Sequence, residues 1–163
     1  MRRSLYLLMF LMFALLSVPS WAATDPLIGT WKLNSAKSKY SPGPPVKSAT
    51  IKYEAVGDDA LKNIRDETDA NGKAIHSEYT SKFDGKDVPV SGELGGGNPP
   101  RGTITAKRIG AYTTENINKL DGKITSTSRR IVSKDGKTLT IIVKGTDGKG
   151  HQINNRVVYD RVE

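Results

Sequence analysis

Five copies of one turn govern what this chain can become: Asn71-Gly72-Lys73, Asp84-Gly85-Lys86, Asp121-Gly122-Lys123, Asp135-Gly136-Lys137 and Asp147-Gly148-Lys149. Asn-Gly and Asp-Gly supply the positive φ angles of a type I′ turn, whose twist matches that of two antiparallel strands. Each copy lies between stretches that can be extended, so the five together predict an antiparallel meander. Their spacing is irregular and the intervening stretches share no pattern, which excludes a solenoid of repeats.

Strands are expected over residues 27–34, 48–56, 60–68, 74–83, 86–90, 102–108, 111–119, 123–132, 137–144 and 151–160. Alternation is clearest in Leu27, Gly29, Trp31 and Leu33, in Ala49, Ile51, Tyr53 and Ala55, and in Ile75, Ser77, Tyr79, Ser81 and Phe83. Between them, Thr30, Lys32, Lys52, Glu54, His76, Glu78 and Lys82 point the other way, so one face is buried and one is wet. The stretches 60–68 and 111–119 alternate poorly and read as bulged or edge strands. Ser41-Pro42-Gly43-Pro44-Pro45 lacks the donors for a ladder and is an extended connector. Ser91 to Pro100, with Gly95-Gly96-Gly97 and Pro99-Pro100, is expected as a surface loop. It is no phosphate cradle, because no Lys-Ser or Lys-Thr follows the glycines.

About ten short strands with an apolar inner face must close on themselves or stack as two sheets. Consecutive hairpins dominate, which favours an all-β, antiparallel up-and-down barrel of about 8–10 strands over a sandwich. Residues 1–22 precede that domain and read as a secretory signal peptide: Arg2 and Arg3, an apolar run over 5–18, then Ser20 and Ala22 at the cleavage position. The run is too short to span a bilayer. The remaining residues, 23–163, form one domain, whose expected location is the periplasm or the exterior. No cysteine occurs anywhere, so disulfides, thiolate metal sites and lipid attachment at cysteine are excluded. Losing Arg2 and Arg3 with the leader lowers the formal charge from +8 to +6. The lysines are scattered through turns, a pattern of solubility and edge protection rather than of a nucleic-acid track. An anionic envelope surface remains a partner that such a charge could meet.

Leu27-Ile28-Gly29-Thr30-Trp31-Lys32-Leu33 resembles the opening strand of the calycin superfamily, the lipocalins and fatty-acid-binding proteins, and Arg156-Val157-Val158-Tyr159-Asp160-Arg161-Val162 resembles the last strand of the latter. The chain is also similar to a group of small exported bacterial lipocalin-like proteins that share GTWKLN and SRRIVSKDGKTLT. The resemblance implies that the first strand closes against the last, with Gly29 and Trp31 at the closed end and Arg156 or Arg161 covering the indole. It also implies a small apolar or amphipathic ligand inside. Two departures stand out. Pro42, Pro44 and Pro45 preclude the family's helical lid, and Val157 occupies the position where the family's carboxylate-binding Arg precedes Tyr159 by two.

The residues themselves add a hint of binding. Ile124, Ser126, Ser128, Arg130 and Val132 fall on one face, as do His151, Ile153, Asn155, Val157 and Tyr159. Inward polar groups are costly unless water, a neighbour or a ligand satisfies them. The candidate cavity lining is therefore Tyr53, Ser77, Tyr79, Ser81, Phe83, Ser126, Ser128, Arg130, Asn155 and Tyr159, and an inward Arg130 would call for a carboxylate. Glu67, Asp69, Asn71, Gly72 and Glu78 match calcium-loop spacing, but a hairpin accounts for them without a metal. Two histidines make no zinc set, nothing supports haem, and no cofactor is expected. No Gly-x-Ser-x-Gly or His-Glu-x-x-His is present, so catalysis has no local signature and no catalytic residue is assigned. The leading reading is a binding barrel. The alternatives are a filled barrel with a basic surface at the envelope, and, ranked last, an enzyme at the barrel mouth.

Overall fold

The computed structural model describes residues 25–95, 101–146 and 150–162. Residues 1–24, with the leader, lie outside them, as do the tip of Asp147-Gly148-Lys149 and residues 96–100. Eleven antiparallel strands form one nearly closed barrel: β1 (Gly29–Leu33), β2 (Ser48–Val56), β3 (Ala60–Thr68), β4 (Ala74–Ser81), β5 (Asp84–Pro89), β6 (Ser91–Gly92), β7 (Gly102–Gly110), β8 (Thr113–Leu120), β9 (Lys123–Val132), β10 (Thr138–Thr146) and β11 (Gln152–Val162). The hydrogen-bonded order is β5-β7-β8-β9-β10-β11-β1-β2-β3-β4-β6. Its two ends, β5 and β6, are parts of one chain segment. That segment pairs first with β7 and then with β4, and so bridges the seam between those two strands.

The turns differ in how literally they follow the sequence pattern. Asp121-Gly122 has positive φ at both residues, 49° and 76°, and makes the two-residue reversal expected. At Asn71-Gly72 and Asp135-Gly136 only the glycine is left-handed; the amide of Gly72 donates to Asp69 O and that of Gly136 to Ser133 O, so each is a longer turn ending on glycine. Asp69 Oδ1 accepts from the amides of Asn71 and Lys73, both at 2.8 Å, the ordinary work of a turn aspartate. Asp84-Gly85-Lys86 departs from expectation. Positive φ at Phe83 (57°) and Gly85 (83°) turns a corner instead of a hairpin, so β5 leaves β4 and pairs with β7 through a bulge. Part of the expected 91–100 loop is ordered too, as β6 and a 3-10 turn, Glu93–Gly95. Gly92 is required there, because a Cβ would collide with the His76 carbonyl and φ is +84°.

The connector after β1 holds no helical lid. A single 3-10 turn, Ser35–Lys37, is capped by Asn34. Beyond it, Lys39 exchanges backbone hydrogen bonds with Arg156, and Ser41 O accepts from the amide of Asn154 at 2.7 Å. The connector thus continues the wall along β11 where β1 has ended, and turns Tyr40 and Val46 against the core.

The closed end is packed. Trp31, fully buried, donates from Nε1 to the Leu27 carbonyl at 2.8 Å. Arg161 lies over the indole, 4.1 Å from the ring centroid, and donates to the carbonyls of Gly136, Ile28 and Pro26 at 2.6, 2.5 and 2.7 Å. Arg161 is therefore the indole cover. Arg156 projects outward and donates to Lys37 O instead. Gly29, with φ +128°, leaves the space that the Arg161 guanidinium fills. Around this plug pack Leu27, Ile51, Tyr53, Leu61, Val132, Leu139, Ile141, Val157 and Tyr159.

Candidate functional site

The other half of the barrel is polar. Cross-strand register places Arg65 between Ile51 and Ser77, Asn63 between Tyr53 and Tyr79, and Glu67 between Ala49 and Ile75, all on the inward columns. On the far wall Thr114 pairs with Arg130, Asn116 with Ser128 and Asn118 with Ser126. A cavity of about 290 Å³ opens between these walls, lined by Asn63, Arg65, Ser77, Tyr79, Asn118 and Arg130 among others. Its mouth lies between the turn at Glu93 and Leu94 and the β8–β9 tip.

Among the described residues, the buried side-chain atoms without a hydrogen-bond partner belong to Tyr40, Tyr53, Asn63, Arg65, Thr114, Asn116 and Arg130. All project inward. Arg130 is the most demanding: neither Nε nor Nη1 finds a protein acceptor. The ionisable groups that act on it are Tyr53, Tyr79, Arg65 and Tyr159, none of them a carboxylate. A guanidinium cannot escape this cost by losing its proton, so Arg130, a half-buried side chain, stays a cation with two buried nitrogens unpaired. Arg65 differs, since its Nη2 donates to Oε2 of Glu67, itself a buried side chain. Tyr40, roofing that pair, has its hydroxyl pushed up to about 12 by burial and by Tyr159. Burial likewise raises Tyr53. Both phenols therefore stay neutral, and neither hydroxyl has a hydrogen-bond partner.

A larger depression, about 670 Å³, lies at the closed end beside Asp25, Phe83 and Arg108. Four of its charged groups are engaged: Arg108 pairs with Asp25 and stacks on Phe83 at 5.2 Å, and Lys82 meets Asp59 at 2.9 Å. No orphaned polar atom faces it, so the demand for a ligand is in the interior. Among the described residues no group of three or more metal-binding side chains occurs, and no helix is long and apolar enough to cross a membrane.

The ten expected lining residues divide between the two halves. Ser77, Tyr79, Ser126, Ser128 and Arg130 lie on inward columns of the polar half, with Tyr79 accepting from Asn116 Nδ2 at 3.4 Å across the barrel. Tyr53 and Tyr159 belong to the packed half, and Ser81 accepts from the Phe83 amide there. Phe83 itself turns away to the closed-end depression, because of its left-handed backbone. Asn155 secures the connector by accepting from the Ser41 amide at 2.9 Å. Ile124, expected inward with Ser126, is 62% exposed. Thr125 is an extra, unpaired residue on β9, opposite the step from Asn118 to Lys119, and this bulge shifts the register and throws Ile124 outward. Arg65, Asn63, Thr114 and Asn116 escaped the sequence reading, and Glu67 was noticed only for its calcium-loop spacing, because β3 and β8 carry polar residues on both faces. Their poor alternation was itself the signal.

No protein-family model matches the chain, and no curated protein matches it. Solved structures do. The fluorescent protein UnaG is 15% identical, with a TM-score of 0.53 over 85% of this chain and 98% of that one. Rv2717c from M. tuberculosis is 16% identical, with a TM-score of 0.52 over 90% of this chain and 99% of that one. A redesigned β barrel, b11L5F_LGL, is 12% identical, with a TM-score of 0.50 over 85% and 93%. The chain shares the β-barrel fold of these structures. At such identities the likeness is one of architecture, and function must come from the site.

Proposed function

We propose that this protein is an exported binding barrel, and that its ligand is a compact organic anion held with its charged group on Arg130. One observation carries the reading: a guanidinium with two buried, unpaired nitrogens and no ion-pair partner, lining a cavity. An anion there supplies the missing acceptor and counter-charge in one step, through a charge-assisted hydrogen bond. The cavity, about 290 Å³, sits at the small end of ligand pockets, so a long extended chain is disfavoured against a compact body. Tyr79, Val90 and Ile104 provide the apolar contacts for that body. Export to the periplasm or beyond rests on the leader read over residues 1–22.

Titration calorimetry with para-tert-butylbenzoate and its uncharged amide tests this. The acid is expected to bind and the amide to bind far more weakly. Arg130→Met is expected to weaken the acid by roughly thirtyfold or more, since a buried charge partner has been removed. Equal binding of acid and amide, or an R130M variant that binds as well as the parent, would overturn the reading. The envelope reading predicts instead that no small anion binds, and that vesicle binding collapses as salt rises.

A further inference from the structure

We infer that Glu67 is a charge filter, which restricts the barrel to singly charged ligands by occupying Arg65. This rests on the reading of Arg130 as the anion site, and names a second residue that sets what the site accepts. Arg65 and Glu67 are two positions apart on β3, so both side chains leave the same face of the strand and enter the barrel. The Arg65 guanidinium donates to the Glu67 carboxylate, which is 8% exposed. Arg65 lines the cavity, and Glu67 holds it from outside the lining; of the other charged side chains that line it besides Arg130, Lys119 meets Asp87 at 2.7 Å and Glu93 accepts the His76 amide at 2.9 Å.

The interior therefore presents two guanidiniums and one carboxylate. Glu67 already neutralises one guanidinium, and a single positive charge is left for the ligand. A second anionic group on the ligand would have to displace Glu67 or lie beside it in a low dielectric, where like charges repel strongly. Discrimination of this kind comes from a built-in repulsive element as much as from attraction to the right partner. Removing the Glu67 charge should release Arg65 and give the barrel two anion sites. Arg65 Nε, which has no partner even with Glu67 in place, adds to that latent capacity.

The test compares para-tert-butylbenzoate, with one carboxylate, and tert-butylisophthalate, with two, by calorimetry on the full domain. The parent is expected to favour the benzoate by roughly tenfold or more, and Glu67→Gln to move the ratio toward the isophthalate by at least roughly tenfold. The double variant R65M/E67M, which replaces the ion pair with apolar groups of similar size, is expected to restore the parent's preference. Should E67Q alone fold poorly, its thermal transition is expected to recover with the isophthalate and not with the benzoate. An isophthalate that binds the parent as well as the benzoate does, or an E67Q ratio equal to the parent's, overturns the filter while leaving Arg130 as an anion site. Failure of both probes to bind the parent overturns both.

Discussion

Two arginines on opposite halves of the barrel carry the same charge under opposite conditions. Arg161, at the closed end, gives its guanidinium nitrogens to three carbonyls and lays its plane on Trp31. Arg130, in the open half, has two buried nitrogens with no acceptor and makes no ion pair. Satisfied, a buried guanidinium ties turns and strands together; unsatisfied, it is a standing cost that a folded chain tolerates only if something offsets it. The closed half is built for stability. The open half carries a cost that the proposed anion would offset.

Truncation at the closed end should cost most. Trp31→Ala removes the centre of the packed cluster and is expected to lower the unfolding free energy by about 3–5 kcal/mol, read from urea denaturation. The sharper contrast is between the arginines. Arg161→Met should cost about 2–3 kcal/mol through lost charged hydrogen bonds and the cation–π contact. Arg130→Met should leave stability unchanged or raise it, while weakening the proposed anion binding by roughly thirtyfold or more. If both substitutions destabilise alike, the distinction between the halves is broken.

A smaller effect is expected at Gly29, whose φ of +128° and closeness to Arg161 leave no room for a methyl group. Gly29→Ala should cost about 1–2 kcal/mol by chemical denaturation, and less in an Arg161→Met background, where the guanidinium is gone. The smallest effect belongs to the rim of the open half. Asp66, hydrogen-bonded to His76 at 2.7 Å, raises the histidine's pKa, with help from Glu78 and Glu93. A raised folded-state value means that the pair stabilises fully below the unfolded histidine's pKa, near 6.5, and that this is lost as pH rises through the folded value. Both side chains are more than half exposed, so the gain is small. Melting curves of the parent and H76Q should differ slightly at pH 5 and converge at pH 9.

The two halves also differed in how much of them could be read in advance. At the closed end the inward residues are apolar and the outward ones polar, so alternation in β1 and β2 gave face and register together, and β2 was delimited residue for residue as 48–56. In β3 the inward Asn63, Arg65 and Glu67 are as polar as the outward Lys62 and Asp66, and in β8 the inward Thr114, Asn116 and Asn118 hide among polar neighbours. Periodicity fails where the interior itself is polar, and that is where the cavity lies. Arg130 was nonetheless visible, because Val132 two residues on marked the face it shares. The corner at Phe83 and Gly85 was not visible: an Asp-Gly pair supplies the positive φ for a hairpin and for a bend alike, and only pairing with the distant β7 decides between them.

The most direct measurement is a crystal structure of the protein with para-iodobenzoate, located by the anomalous signal of iodine. The ligand's carboxylate should lie within hydrogen-bond distance of the Arg130 guanidinium, its iodinated end among Tyr79, Val90 and Ile104, with Glu67 still on Arg65. An Arg130 turned outward to solvent or onto Glu93, with side chains collapsed into the space between the walls, would contradict the account.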